Sequence, residues 1–346
     1  MSTSITSKVQ QLPIRENLLA GIDVGGTKIH IANTLNTTIR RYTTSDYESM
    51  DDVLDEYFQT LAARPAKVFV GVAGPRDDDT GEMVLTNAGW PNFNPQEATL
   101  KYGVEFATSL DMVTITAGVL QETGLNLLFL KPGTATRTGT KMVVTLSTGV
   151  GTAAAVWDDH SKKYVFIDGL GGHTGFQPKT EEEHQYLRYL LKQNPHASAE
   201  RALSGKYGID NLINHSLENK KAHRLTTAVE RARAENRPVG AVLLEIANQG
   251  KGLDQEIAQS ILQKMGAMLG SALRDWTLTY HATGGVYLTG SVALALGEYF
   301  AQNTEMNDRF VFKGPEDDIW LEKVPISLVT DPYIAVAGAL SLAKEM

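Results

Sequence analysis

Two glycine turns, each set between short apolar runs, constrain this chain more than any other feature. In the first, Leu18-Leu19-Ala20-Gly21-Ile22-Asp23-Val24 leads into Gly25-Gly26, and Thr27-Lys28-Ile29-His30-Ile31-Ala32 follows. In the second, Met142-Val143-Val144-Thr145-Leu146 leads into Ser147-Thr148-Gly149-Val150-Gly151, and Thr152-Ala153-Ala154-Ala155-Val156 follows. Apolar runs of this length on either side of a glycine turn read as β-hairpins. Their recurrence predicts two related β/α halves with a cleft between them. No closer internal repeat is read.

The 346 residues are long enough for two domains. After the first hairpin, Val53, Leu54, Tyr57, Phe58 and Leu61 recur at helical spacing and predict a helix over Met50 to Ala63. A buried strand is expected over Lys67 to Pro75, then a turn-rich stretch from Arg76 to Gly81, then a short strand ending Leu85-Thr86-Asn87. Thr180-Glu181-Glu182-Glu183 reads as a capping box, with Glu183 reaching back. Its helix is expected to turn Tyr186, Leu187, Leu190 and Leu191 to one side. A long helix is predicted over Asp254 to Tyr280, where Gly266 and Gly270 lie one turn apart and suit close packing against another element. A strand over Gly285 to Gly290 and a C-terminal helix over Tyr333 to Ala343 complete the outline.

The formal charge is −8, which argues against nucleic acid or an anionic membrane surface as a main partner. The absence of cysteine excludes disulfides, thiolate catalysis and Cys-ligated metal sites. No apolar run approaches the ~20 residues that span a bilayer. Met1 to Glu16 is polar, has no apolar signal core, and reads as a short flexible tail on a cytoplasmic protein.

Asp23-Val24-Gly25-Gly26-Thr27-Lys28 places an acid at a strand end beside a turn whose N–H groups can approach phosphate oxygens. Asp23 could hold magnesium through water. A plain Gly-Gly hairpin is the alternative. Ser147-Thr148-Gly149-Val150-Gly151-Thr152 offers hydroxyls and N–H groups in the same way, and alone reads equally as a simple sheet turn. Together the two loops favour a nucleotide. Neither a P-loop nor a dinucleotide fingerprint occurs.

With these loops stand Val72-Ala73-Gly74-Pro75, Leu85-Thr86-Asn87 with Trp90, Gly171-Gly172-His173, Ser198-Ala199-Glu200-Arg201-Ala202-Leu203-Ser204-Gly205, Gly284-Gly285-Val286 and Thr289-Gly290. In this order, over residues 18 to 340, they resemble the bacterial glucokinase family of sugar kinases, in the actin/hexokinase/Hsp70 superfamily. The Ser-Ala-Glu-Arg block is the most specific.

The resemblance implies an α/β, two-domain actin-like ATPase (ribonuclease H-like) fold with an interdomain cleft. A small domain would comprise 1–121 with 330–346, and a large one 122–329. It further implies ATP and Mg2+ as cofactors, phosphoryl transfer to the 6-hydroxyl of a hexose, and a homodimer.

By the same resemblance Asp23, Gly25, Gly26, Thr27, Lys28, Thr148, Gly149, Gly151, Gly290 and Ser291 would hold ATP, the last two near the adenosine. Asn87, Leu110, Asp111, Leu170, His173 and Glu200 would line the sugar. Counting from Trp90 without a gap, the family's catalytic base falls on Asp111. The alternative is that Asp111 only caps a helix starting near Met112. His173 has a structural alternative as well, beside its glycine turn.

Two positions depart from the family pattern. Leu110 stands in place of asparagine, and Leu170 in place of the glutamate of Gly-Glu-Gly-Gly-His. A hydroxyl facing leucine loses a bond, at a cost of ~1–3 kcal/mol. Three explanations are open: a pocket retuned to a less polar sugar, decayed catalysis, or a local slip in register. The expected function is a glucokinase-like kinase, with altered sugar preference as a variant. A non-catalytic sugar- or nucleotide-binding regulator on the same fold is the alternative. An Hsp70-like module is disfavoured, since no substrate-binding domain follows.

Overall fold

A computed structural model describes residues 9–85, 88–121, 124–217, 223–235, 237–311 and 319–346. The chain divides into two compact units, Met1–Leu125 with Asp331–Met346, and Asn126–Thr330.

The first unit is built on β1 (Ile14–Val24), β2 (Lys28–Asn33), β3 (Asn36–Thr43), β4 (Arg64–Val72) and β5 (Glu105–Leu110). They form one sheet in the order β3-β2-β1-β4-β5. β1, β2 and β3 run antiparallel in turn, while β4 joins β1, and β5 joins β4, in parallel. Helices α1 (Met50–Gln59), α2 (Pro95–Tyr102) and α3 (Asp111–Val119) and a C-terminal helix (Ile334–Glu345) belong to this unit. Ser49 caps α1 through the Asp52 N–H, and Asn94 caps α2 through the Gln96 and Glu97 N–H groups.

Small residues seat the C-terminal helix. A Cβ on Gly21 would overlap Leu340, one on Gly118 would overlap the Ile334 carbonyl, and one on Gly338 would overlap the Thr114 carbonyl. Backbones therefore touch where β1, α3 and the C-terminal helix meet, with α3 seated between Thr114 and Gly118.

The second unit carries β6 (Leu127–Lys131), β7 (Lys141–Leu146), β8 (Val150–Asp158), β9 (Lys163–Gly169), β10 (Val286–Thr289) and β11 (Ile326–Val329). Their order is β6-β11-β10-β7-β8-β9. Taken from β9 inward, the pattern repeats that of the first unit. Three antiparallel strands in chain order are followed by two parallel ones, and here β6 is added antiparallel at the far edge. Its helices are α4 (Glu181–Gln193), α5 (Ala199–Leu203), α6 (Gly208–Leu217), α7 (His223–Ala234), α8 (Val239–Gln249), α9 (Leu253–Tyr280), α10 (Ser291–Gln302), α11 (Glu305–Phe310) and α12 (Ile319–Lys323). Among the described residues no helix is long and apolar enough to cross a membrane.

Both glycine turns close hairpins, with Val24 opposite Ile29 and Leu146 opposite Val150. Several local expectations need correction. α1 stops at Gln59, because the Thr60 and Leu61 N–H groups turn back to Tyr57 and Phe58 in tight bonds. The buried strand is β4, displaced toward the N-terminus and ending at Val72. Of the strand expected to end at Leu85-Thr86-Asn87, only Met83 makes ladder contacts, to Arg76 and Phe93; Thr86 and Asn87 lie outside the described residues.

At α4 the Thr180 hydroxyl accepts the Glu183 N–H as expected, but the Glu183 carboxylate accepts from Lys179 N, one residue before the cap. Its other oxygen pairs with Arg309. Leu191 faces outward, since Tyr186 and Leu190 alone of the four are buried. On α9 only Gly270 makes a close crossing: a Cβ there would overlap the Met306 carbonyl of α11, whereas one on Gly266 would sit at an ordinary 3.8 Å.

Candidate functional site

In the first unit the hairpin turn is drawn tight by the Gly25 N–H, which donates to Lys28 O at 3.0 Å. Thr44 braces it from outside, its N–H donating to Thr27 O. Gly26, Thr27 and Lys28 are left exposed. Asp23, one residue before the end of β1, is half-buried, with His30 Nδ1 3.5 Å from its Oδ2. The His30 ring meets Tyr333 edge-on at 5.4 Å.

β5 runs directly into α3, and Asp111 is the first residue of that helix. Its Oδ1 accepts the Met112 N–H at 2.8 Å. Its Oδ2 has no protein partner among the described residues. Burial pushes the Asp111 carboxyl up to about 6; the nearby Asp23 carboxylate pushes the same way, and the backbone N–H groups of Met112 and Asp111 pull against both. One oxygen therefore serves the helix end, while the other makes no hydrogen bond to another described residue. Leu110 is half-buried and packs, like Trp90, on the apolar cluster of this unit.

In the second unit the Ser147–Gly149 turn is held by its neighbours. The Gly205 N–H donates to Ser147 O at 2.7 Å and the Lys206 N–H to Thr148 O at 3.1 Å. Gly290 stands against the end of β7, where a side chain would press on Leu146, and its φ of 101° is one that L residues rarely adopt. Ser291 is exposed at the start of α10. The chain thus brings Thr148, Gly149, Gly290 and Ser291 to one end of the sheet, with Gly151 just inside β8.

Glu200 lies in the first turn of α5, behind its cap Ser198. Its Oε2 accepts the Val150 N–H at 3.1 Å and would lie 2.6 Å from a Cβ on Gly149. Leu170 to His173 form a short 3-10 turn after β9. The Gly171 N–H donates to Thr152 Oγ1 at 2.9 Å, and a Cβ on Gly172 would overlap Val150 O. His173 is exposed, and its carbonyl lies 2.8 Å from His196 Nε2. Leu170 is 72% exposed. Glu200, the Leu170–His173 turn and the second glycine hairpin are therefore one connected construction, whereas Leu110 packs against the apolar cluster of the first unit.

Asn87 lies outside the described residues. Thr152, read from the sequence among the hydroxyls of the second loop, is instead fully buried in β8, and its hydroxyl is taken by the Gly171 N–H. The roles of His30 and Tyr333 beside Asp23 had no sequence signal.

No group of three or more His, Asp or Glu suited to a metal occurs among the described residues. Asp23 and Asp111 nonetheless lie close enough for one carboxylate to raise the other. A divalent cation bound mainly by phosphate oxygens and water, with Asp23 reached through water, fits this sparse donor set.

The glucokinase family matches residues 19–346. The chain is 29% identical over 329 residues to the "Bifunctional protein glk" of Burkholderia orbicola, covering 93% of this chain and 48% of that protein. It thus spans about half the length of that relative. It is also 29% identical over 333 residues to a glucokinase of Nitrobacter hamburgensis, covering 93% of this chain and 96% of that one. Among solved structures, a glucokinase from an Antarctic psychrotroph superposes with a TM-score of 0.77 at 22% identity, over 96% of this chain and all of that one. A Balamuthia mandrillaris glucokinase in complex with glucose gives 0.72 at 16% identity, over 99% of each chain. The two-sheet α/β architecture is the actin-like ATPase (ribonuclease H-like) fold of these enzymes. With the family match running from Leu19 to the last residue, the chain belongs to the glucokinase family.

Proposed function

We propose that the chain transfers the γ-phosphoryl group of ATP to the 6-hydroxyl of a hexose. The observation that carries this reading is Asp111: a partly buried carboxyl raised to about 6, with one oxygen tied to a helix N-terminus and the other unbonded to any other described residue. Such a group is ionised near neutrality and still basic enough to accept a proton.

In this reading the Asp111 Oδ2 takes the proton of the sugar hydroxyl as its oxygen attacks the γ-phosphorus. The bond to the β–γ bridging oxygen breaks, and ADP carries away the electron pair. The N–H groups of Gly26 to Lys28, in the turn that Gly25 draws tight, and of Thr148, Gly149 and Gly151 steady the phosphate oxygens, while Gly290 and Ser291 lie toward the adenosine. Bound magnesium, reached by Asp23 through water, would neutralise phosphate charge. His173 and Glu200 hold ring hydroxyls. The sugar preference is shifted toward a hexose with a less polar edge, since Leu170 presents carbon there.

A cytoplasmic homodimer is the setting we propose, on the family resemblance. The test is ADP release over a panel of hexoses, deoxy sugars and amino sugars. Turnover on at least one sugar, lost by ~10²–10⁴-fold in Asp111→Asn, is the expected result. Turnover that survives Asp111→Asn would remove the assignment of the base.

A further inference from the structure

Thr152 ends the second glycine loop as read from the sequence, yet it lies within β8, where its hydroxyl touches the sugar-side turn instead. It sits on β8 one residue past Gly151, opposite Gly169 of β9, and is fully buried. Its Oγ1 accepts the Gly171 N–H at 2.9 Å. Its Cγ2 and Oγ1 also fill the space that a side chain on Gly171 would need, both lying 2.7 Å from a Cβ built there. Two residues of α9 crowd the same glycines: Trp276 Nε1 lies 3.1 Å from that same Cβ position, and the Tyr280 hydroxyl would be overlapped by a side chain on Gly169. Neither glycine of this stretch can carry a side chain without displacing one of these groups. Leu170 and His173 are the side chains the turn leaves exposed.

We infer that Thr152 is a positioning residue for the acceptor sugar: by holding the Gly171 N–H it sets where His173 stands relative to Glu200. The inference rests on the kinase reading for its consequence in turnover, and on geometry alone for its effect on the turn. A single strand then holds both sugar-side groups, since β8 opens with the Val150 N–H that Glu200 accepts and continues to the hydroxyl that sets the turn. An unpaired buried N–H is costly, so removing the acceptor shifts the turn rather than leaving it in place.

The test compares Thr152→Val, which keeps a β-branched shape and loses the hydroxyl, with Thr152→Ser, which keeps the hydroxyl. In Thr152→Val the KM for the hexose rises about tenfold, the low end of what an unpaired buried N–H costs. The KM for ATP and kcat at saturating sugar stay within about twofold, and serine restores the hexose KM. Thr152→Ala replaces valine if valine does not fold. A hexose KM unchanged in the valine or alanine protein, or an equal loss in the serine protein, overturns the inference.

Amide exchange at Gly171, measured on the same proteins, does not depend on turnover. It is faster in valine and alanine and unchanged in serine; unaltered protection in valine and alanine overturns the inference. If the unmodified chain turns over no hexose, the kinase reading fails, while the exchange measurement still decides the role of Thr152 in the turn.

Discussion

Glu200 Oε2 accepts the Val150 N–H at 3.1 Å and stands 2.6 Å from the place a Cβ would take on Gly149. A side chain at 149 would thus press on a carboxylate and on no backbone. A methyl group closer than 3 Å to an oxygen forces one of them to move, and the end of a glutamate side chain moves more cheaply than a hairpin. Gly149→Ala is therefore expected to push Glu200 off Val150 and to raise the hexose KM about tenfold, the cost of one charge-assisted hydrogen bond. In a Glu200→Ala background the same substitution has nothing to displace and adds little. A double-mutant cycle on kcat/KM reads this directly. Additive losses would mean that Gly149 acts on the phosphate side alone.

In the proposed reaction Asp111 sets the acid limb of the rate. Its carboxyl, raised by burial and by Asp23 to about 6, must be ionised to accept a proton. We expect kcat/KM for the hexose to fall roughly tenfold per pH unit below that value. Asp23→Asn removes the second cause of the shift and moves the limb to lower pH. A pH profile of both proteins measures it, and a limb that stays in place would assign the titration to another group.

The same carboxyl has a cost in stability. Its pKa is about 6 folded against 3.8 as the ordinary value, so the folded state binds the proton more tightly. Stability contributed by this group is present below the lower value and is lost as pH rises through the upper one. Asparagine keeps an acceptor for the Met112 N–H and carries no charge. Asp111→Asn is expected to be more stable than the unmodified chain at pH 8, by up to about 2–3 kcal/mol. That advantage should shrink toward zero by pH 4. Urea unfolding at the two pH values checks it, and equal stability at pH 8 would deny the burial cost. Turnover lost alongside stability gained separates a strained functional group from a structural cap.

The parts of this molecule legible in its sequence are those where period and turn chemistry act locally. Both hairpins are written in apolar runs and glycines, and the long helix in its spacing. The third strand of each sheet was not legible. β3 reads Asn-Thr-Thr-Ile-Arg-Arg-Tyr-Thr and β9 starts with lysine, as suits strands at a sheet edge, where polar residues are favoured. With them the repeated strand order was hidden, because it resides in pairing rather than in residues. Asp111 was legible only through the register carried from Trp90; nothing local marks one aspartate before an apolar helix as different from a cap. The environment of Leu110 and Leu170 could not be read at all. One packs on a core and the other is exposed, and that difference comes from which way a strand end and a turn happen to face.

Gly266 and Gly270 make the point as a measurement. In sequence they are equivalent, one turn apart on α9 and both suited to close packing. In the fold a methyl group on Gly270 would overlap the Met306 carbonyl of α11, while one on Gly266 finds its nearest neighbours at 3.8 Å. Alanine in a helix interior is favoured over glycine by ~0.5–1 kcal/mol when space allows. Overpacking against backbone costs about 1–3 kcal/mol. Gly266→Ala is therefore expected to stabilise the chain and Gly270→Ala to destabilise it, with opposite shifts in the midpoint of urea unfolding. The Gly270→Ala loss should be felt between α9 and α11, where Arg309 reaches Glu183 at the start of α4. Shifts of the same sign in both variants would show that helix propensity, and not the crossing with α11, governs this stretch.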